Sequence, residues 1–173
     1  MGFHHVALAT KDAKATHAFY TAAMGFDLVK VEVAPAGKGF AKHFFYDTGN
    51  GELIAFWDLH DPELGDDWDP AIATGLGLPV WTNHIAFAAA DRDALDAHRE
   101  RILAAGHDVM ELDHGWCVSI YVNDPNGIMV EFCLTTTDFV DREEAERLLA
   151  DPAPPLAAPP KTRVFRAKDR GGR

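Results

Sequence analysis

His5-Val6-Ala7-Leu8-Ala9 and His84-Ile85-Ala86-Phe87-Ala88 are two versions of one short apolar segment, each opening on a histidine. The sequence around them repeats as well. After each comes an aspartate (Asp12, Asp91), then a helix-like stretch ending at a glycine (Gly25, Gly106), then strand-like runs broken by an Asp- and Gly-rich turn. Those turns are Asp47-Thr48-Gly49-Asn50-Gly51 and Asp124-Pro125-Asn126-Gly127. The two copies lie 79 residues apart at the histidines (5 to 84) and 76 apart at the last glycines (51 to 127), so they differ by a few loop residues. Self-similarity on this scale decides architecture before local detail does.

Each copy reads as β-α-β-β-β. In module one (residues 3–60) the strands are 3–9, 27–33, 40–47 and 52–58. Its helix, Lys11 to Met24, carries Ala15, Phe19, Ala22 and Ala23 on one side and is closed by Gly25. Residues 61–80 form a long connection rich in Asp, Gly and Pro, with Trp68 inside it and Trp81 beside it, and read as a lid or a plain linker. Module two (81–135) repeats the order with strands 82–89, 107–112, 116–122 and 128–134 and a helix from Asp91 to Ala105. Together, residues 1–135 make one α+β domain of paired βαβββ modules. A short helix is expected within 136–151, with Asp141 as cap and Glu144 as its partner. Residues 152–173, first proline-rich and then basic, read as an extended arm that lies in solvent or packs across a partner subunit.

The 173 residues are 47% apolar and 25% charged, an ordinary globular composition. No run approaches the roughly 20 apolar residues that span a bilayer, and no signal-peptide pattern opens the chain, which makes a cytoplasmic location the expectation. Cys117 and Cys133 sit in apolar strand-like runs and read as reduced thiols. The formal charge is −11; residues 161–173 carry +5, leaving −16 on the body, which disfavours nucleic acid as a partner of the folded part.

A period of two puts Ala7 and Ala9 on the face of His5, and Ala86 and Ala88 on the face of His84, with Val6, Leu8, Ile85 and Phe87 opposite. The large side chains belong to a core; the alanines leave room beside each imidazole. The last strand adds a carboxylate, because Met129, Glu131 and Cys133 share a face. A buried carboxylate needs a cation. His5, His84 and Glu131 therefore read as a 2-His-1-carboxylate metal site with open positions, suited to Fe(II) and open to Mn, Ni, Co or Zn. Aligning Gly51 with Gly127 places Ala55 opposite Glu131, so three protein ligands are expected and not four. The alternative is that both histidines are core residues and Glu131 pairs with Lys42 or a histidine. His4 is expected to point to the other face.

These residues resemble the vicinal oxygen chelate superfamily, which includes extradiol dioxygenases, glyoxalase I, fosfomycin-resistance transferases, methylmalonyl-CoA epimerase and bleomycin-resistance proteins. The resemblance covers about residues 3–134 and implies a cup-shaped, mixed-sheet half-barrel closing around an ion held by His5, His84 and Glu131. A narrower segment, His114 through Ile120-Tyr121-Val122-Asn123-Asp124-Pro125-Asn126-Gly127 to Glu131, is similar to the extradiol ring-cleavage signature; Leu112 departs from it. That likeness gives Tyr121 a place near a catecholic oxygen. It also implies a pocket acid/base histidine near the last strand of module one, where this chain has Ala55 and Trp57; His60 and His43 are the nearest substitutes, with His114 a further proton carrier. Phe44, Phe56, Trp57, Trp81 and Trp116 are candidates for an aromatic wall. The expected function is a Fe(II)-dependent dioxygenase acting on a small aromatic diol or related compound with O2, as a homodimer. The alternatives are a metal-dependent lyase, isomerase or transferase on the same scaffold, and a non-catalytic drug- or metabolite-binding resistance protein.

Overall fold

Both histidine segments become edge strands. The computed structural model describes residues 2–138 and 141–168, and in it β1 (His5–Thr10) borders a four-stranded sheet while β5 (His84–Ala88) borders a five-stranded one. Module one adds α1 (Ala13–Ala22), β2 (Asp27–Ala36), β3 (Gly39–Asp47) and β4 (Leu53–His60), in the sheet order β1-β4-β3-β2. Module two adds α2 (Arg92–Ala104), β6 (Val109–Asp113), β7 (Cys117–Asn123) and β8 (Met129–Thr135), in the order β5-β8-β7-β6. In each sheet the histidine strand runs parallel to the last strand of its own module, and the remaining pairs are antiparallel. This is the α+β architecture of paired βαβββ modules that the repeat predicts.

The helices start where short acidic side chains can satisfy free amides. Asp12 accepts the Ala15 N–H at 2.9 Å, and Asp91 accepts that of Ala94 at 2.8 Å. Gly25 ends the first helical segment at φ +75°, a conformation strained for any residue with a Cβ. A Cβ there would also lie 2.7 Å from the Arg101 guanidinium, which donates to the Met24 carbonyl from module two.

One core joins the modules. It is built from the faces opposite the histidines: Tyr20, Phe26, Ile54 and Phe56 of module one meet Leu95, Ile102, Val130 and Phe132 of module two. Phe26 stands edge-on to Phe87 at 4.9 Å, and burying rings of this size contributes roughly 2–3 kcal/mol each. Tyr20, fully buried, donates to Asp124 at 3.2 Å. Asp124 also accepts from the backbone of Asn126 and Ile128, so the Asp-Pro-Asn-Gly turn ties one module to the other. The core faces thus point toward each other, and His5, Ala7, His84, Ala86 and Ala88 are left on exposed inner faces.

The connection 61–80 is partly built in. Ala71 and Ala73 are buried, and the Asn83 side chain donates to the Ile72 carbonyl at 2.7 Å. Its first part covers a cavity of about 560 Å³ lined by Thr10, Asp58, His60 and Trp68, with Lys11 over the Trp68 ring. Asp58 and His60 alternate with Trp57 and Leu59 along β4, so this roof lies on the core-side face of the sheet, away from the face of His5.

The tail differs from the extended arm read from its composition. After α3 (Arg142–Ala150) and the prolines, β9 (Lys161–Phe165) pairs antiparallel with β6 and extends the second sheet. Its charged residues hid the strand, because their partners are distant in sequence. Arg163 lies 3.8 Å from the buried Glu111 carboxylate, the Arg99 guanidinium covers the Phe165 ring at 4.5 Å, and Arg166 pairs with Asp108.

Candidate metal centre

On the inner face of module two, strand pairing brings the expected groups together. Glu131 sits opposite Ala86 on β5 and opposite Tyr121 on β7, and is 5% exposed. His84 is two residues along from Ala86, and its Nε2 lies 3.0 Å from Glu131 Oε2. The Tyr121 ring stands edge-on to His84 at 6.3 Å, and its hydroxyl is 3.2 Å from Nε2 of the exposed His114. Burial pushes the Tyr121 phenol up to about 12, with Glu131 adding to the rise, so the hydroxyl keeps its proton. Below it lie Ser119 and two free thiols, Cys117 and Cys133; burial likewise raises Cys133 to about 11. Both cysteines are free thiols.

The His84–Glu131 contact leaves a charge unaccounted for. His84 Nδ1 lies 2.9 Å from the Trp81 carbonyl, which can only accept, so that nitrogen carries a hydrogen. A neutral ring then points the lone pair of Nε2 at a carboxylate oxygen, two acceptors 3.0 Å apart. Either the ring takes a second proton or a cation stands between them. Divalent ions bind such donors at about 2.1 Å, and two donors at right angles are then about 3.0 Å apart. An Nδ1–H fixed on a carbonyl with Nε2 left for the ion is also the usual arrangement of a metal-ligating histidine. The donor pair therefore fits an ion.

Module one presents a different group. His5 Nδ1 is 2.8 Å from His4 Nδ1, so the neighbouring imidazoles meet instead of facing apart, and His5 Nε2 is left over. Across the same face, His43 is 6.1 Å from His5 between ring centroids, tilted against Phe45 at 4.1 Å and stacked on Trp57 at 3.7 Å. His43 is 8% exposed, and its Nε2 is the single buried side-chain polar atom lacking a hydrogen-bond partner among the described residues. Burial, and then the neighbouring His5, lower its basicity and favour the neutral ring. Ala55 is buried opposite Phe45, where a fourth ligand would stand.

The two halves do not meet within one chain: among the described residues no three His, Cys, Asp or Glu side chains are placed to hold one ion. His84 and Glu131 are together; His5 is with His4 and His43. His60 belongs to neither, since its Nε2 binds Asp58 at 2.8 Å on the opposite face, where Lys42 also donates to Asp58 at 3.1 Å. Lys42 is thereby committed away from Glu131. Of the aromatic wall candidates, Phe44 and Phe56 are core residues, Trp57 lies under His43, and Trp81 and Trp116 are exposed. The residue given too little weight by sequence is His43. Its signal was there in the alternation of β3, which puts it on the Trp57 side.

Residues 2–132 match the Glyoxalase/Bleomycin resistance protein/Dioxygenase superfamily, and the chain belongs to that family. Similar folds include the glyoxylase/bleomycin resistance protein/dioxygenase domain from Frankia sp. EAN1pec, with TM-score 0.61 and 19% identity over 79% of this chain and 98% of that one. The fosfomycin resistance protein of Listeria monocytogenes gives TM-score 0.54 and 23% identity over 79% and 94%. Lactoylglutathione lyase from Agrobacterium tumefaciens gives 0.52 and 23% over 77% and 92%. No curated protein matches the chain by sequence. Among the described residues no helix is long and apolar enough to cross a membrane.

Proposed function

We propose that this chain is a divalent-metal-dependent enzyme of the extradiol dioxygenase type, acting on a small aromatic diol or related vicinal-oxygen compound. Its ion is held by His84 and Glu131 of one copy and His5 of a second. The observation that carries the reading is the contact of His84 Nε2 with Glu131 at 3.0 Å while Nδ1 is fixed on Trp81, a pair whose donor set and spacing fit one divalent ion. The exposed inner faces of both modules supply the reason for a second copy, since His5 does not reach that pair within its own chain.

A divalent ion there, iron(II) favoured over Mn, Co, Ni and Zn, supplies Lewis acidity and open positions for two substrate oxygens and O2. The chain's own groups do the rest. The protonated Tyr121 hydroxyl offers a hydrogen bond to a substrate oxygen, and His114, 3.2 Å away and open to solvent, gives its proton a way out. Neutral His43, on an otherwise apolar wall of Ala55, Phe45 and Trp57, faces the substrate from module one. His60 has no part in this reading.

The test is subunit mixing after anaerobic Fe(II) loading, with O2 uptake and ring-fission product read on a panel of catechols. His5→Ala and Glu131→Gln chains are each expected to be inactive. Mixed and re-equilibrated, they recover roughly a quarter of the wild-type sites, because half the dimers are heterodimers with one intact site each. No recovery, or stoichiometric iron without turnover of any diol by the wild type, sinks the proposal.

A second reading, a metal-dependent lyase, isomerase or transferase working without O2, is favoured by one observation. The unpartnered Nε2 of His43 gives module one a second imidazole near His5, which would make four donors despite Ala55. Turnover with Ni, Co or Mn under anaerobic conditions would decide for it.

A further inference from the structure

The chain leaves β8 at Thr135 and re-enters the same sheet at Lys161, and both points lie at one end of it. Thr135 pairs with Cys117, Val118 with Asp113, and Asp113 with Lys161. Only β7 and β6 intervene, so the gap is three strand spacings, roughly 14 Å. About five extended residues would bridge it. The chain uses 25 (136–160), including a nine-residue helix and five prolines between 152 and 160.

Among the described residues of this excursion none is buried. No residue of α3 is buried, and none joins the core. Its polar side chains are satisfied within the helix by Arg142–Glu146 and Arg147–Glu144 pairs. What is unmet is the apolar stripe Ala145, Leu148 and Leu149, at the i, i+3, i+4 spacing of a packing face, with Leu149 90% and Leu156 96% exposed. A nine-residue helix is too short to persist alone in water, and proline-rich segments are stiff spacers more than loose loops. Helix, stripe and stiff return together make a structure built to be covered.

We propose that residues 141–160 form a clasp that packs against a second copy of this chain. For the identity of the occupant, the proposal rests on the two-copy reading of the site given above. The clasp departs from β8, the strand that carries Glu131, four residues beyond that carboxylate. Any second copy that brings its His5 to Glu131 lies beside the root of the clasp, and the excursion is long enough to reach past it. The clasp and the uncovered inner faces are then one continuous interface.

The experiment uses the full chain and the double substitution Leu148→Glu with Leu149→Glu, which cannot open a core because α3 contributes nothing to it. Sedimentation equilibrium over a dilution series is expected to show a wild-type dimer and a dissociation constant at least tenfold weaker in the variant, with an unchanged far-UV spectrum. Hydrogen exchange of the 142–150 amides should slow as wild-type concentration rises. An unchanged dissociation constant overturns the clasp, as does a wild type that is monomeric at every concentration; the latter points to another kind of partner. Co(II) titration of the same preparations separates the two proposals. Loss of the clasp effect with ion binding intact removes only this inference, whereas a tenfold weaker dimer in a chain that binds no ion removes only the site reading.

Discussion

Tyr20 of module one and Asp124 of module two form a 3.2 Å hydrogen bond inside the shared core, with Asp124 also taking the Asn126 and Ile128 amides. Burial raises the Asp124 carboxyl above its ordinary range, and its donors pull it back. Tyr20→Phe removes one of those donors without opening a cavity and is expected to cost about 1–2 kcal/mol. Urea denaturation of the variant measures it; a loss below about 0.5 kcal/mol would mean the contact does not join the modules energetically.

His98 stacks flat on Phe132 at 3.7 Å and accepts a hydrogen bond from Arg101 at 2.9 Å, and burial, followed by Arg101, lowers it from 6.5 to about 4. An unfolded chain therefore binds this proton near pH 6.5, and the folded chain waits until about pH 4. Between the two, the unfolded state holds more protons, so stability falls as pH drops through that window. Allowing for partial exposure, the loss is on the order of 1–2 kcal/mol. Stability curves at several pH values should lose part of this slope in His98→Gln; an identical slope would refute the assignment.

All three tyrosines are held protonated, Tyr20 well above 10 and Tyr46 and Tyr121 at about 12, chiefly by burial. Absorbance at the phenolate band is expected to stay flat up to about pH 11 and then rise together with alkaline unfolding. A tyrosine ionising near pH 10 in the folded chain would show that the inner face around Tyr121 is wetter than described.

Glu111, 5% exposed, takes Arg92 at 2.9 Å, Arg99 at 3.5 Å and Arg163 of β9 at 3.8 Å. Glu111→Ala removes a nearly buried carboxylate shared by three arginines, and because Arg99 keeps Asp96 at 2.6 Å the loss should be about 1.5–2 kcal/mol. Glu146→Ala, which breaks a fully exposed pair, should stay within about 0.5 kcal/mol. Equal losses in the two variants would contradict the packing described for β9.

Much of this was legible in the sequence because the repeat carries it. The alternation around His5 and His84 placed alanines and large side chains on opposite faces, and the spacing of Tyr121 and Glu131 across one hairpin put them opposite each other. What could not be read were relations between distant segments. β9 is held by Glu111, Arg99 and Asp108, far upstream of it, and no local pattern announces them. His60 looked like a spare imidazole near the end of module one, but one step of strand alternation sends it to Asp58 on the other side. Likewise the convergence of three ligands depends on how the modules are placed, which side-chain spacing within each module does not contain.

β9 closes one border of its sheet with residues from the far end of the chain, while β6 without it would present a row of free amides and carbonyls over a buried Val109. A single protease cut in the exposed proline segment would leave that cover held by a five-residue ladder and the side-chain contacts of Arg163, Phe165 and Arg166. Dissociation of so short a piece would turn a finished border into a template for another strand, so preparations nicked near residues 152–160 should be the ones that precipitate.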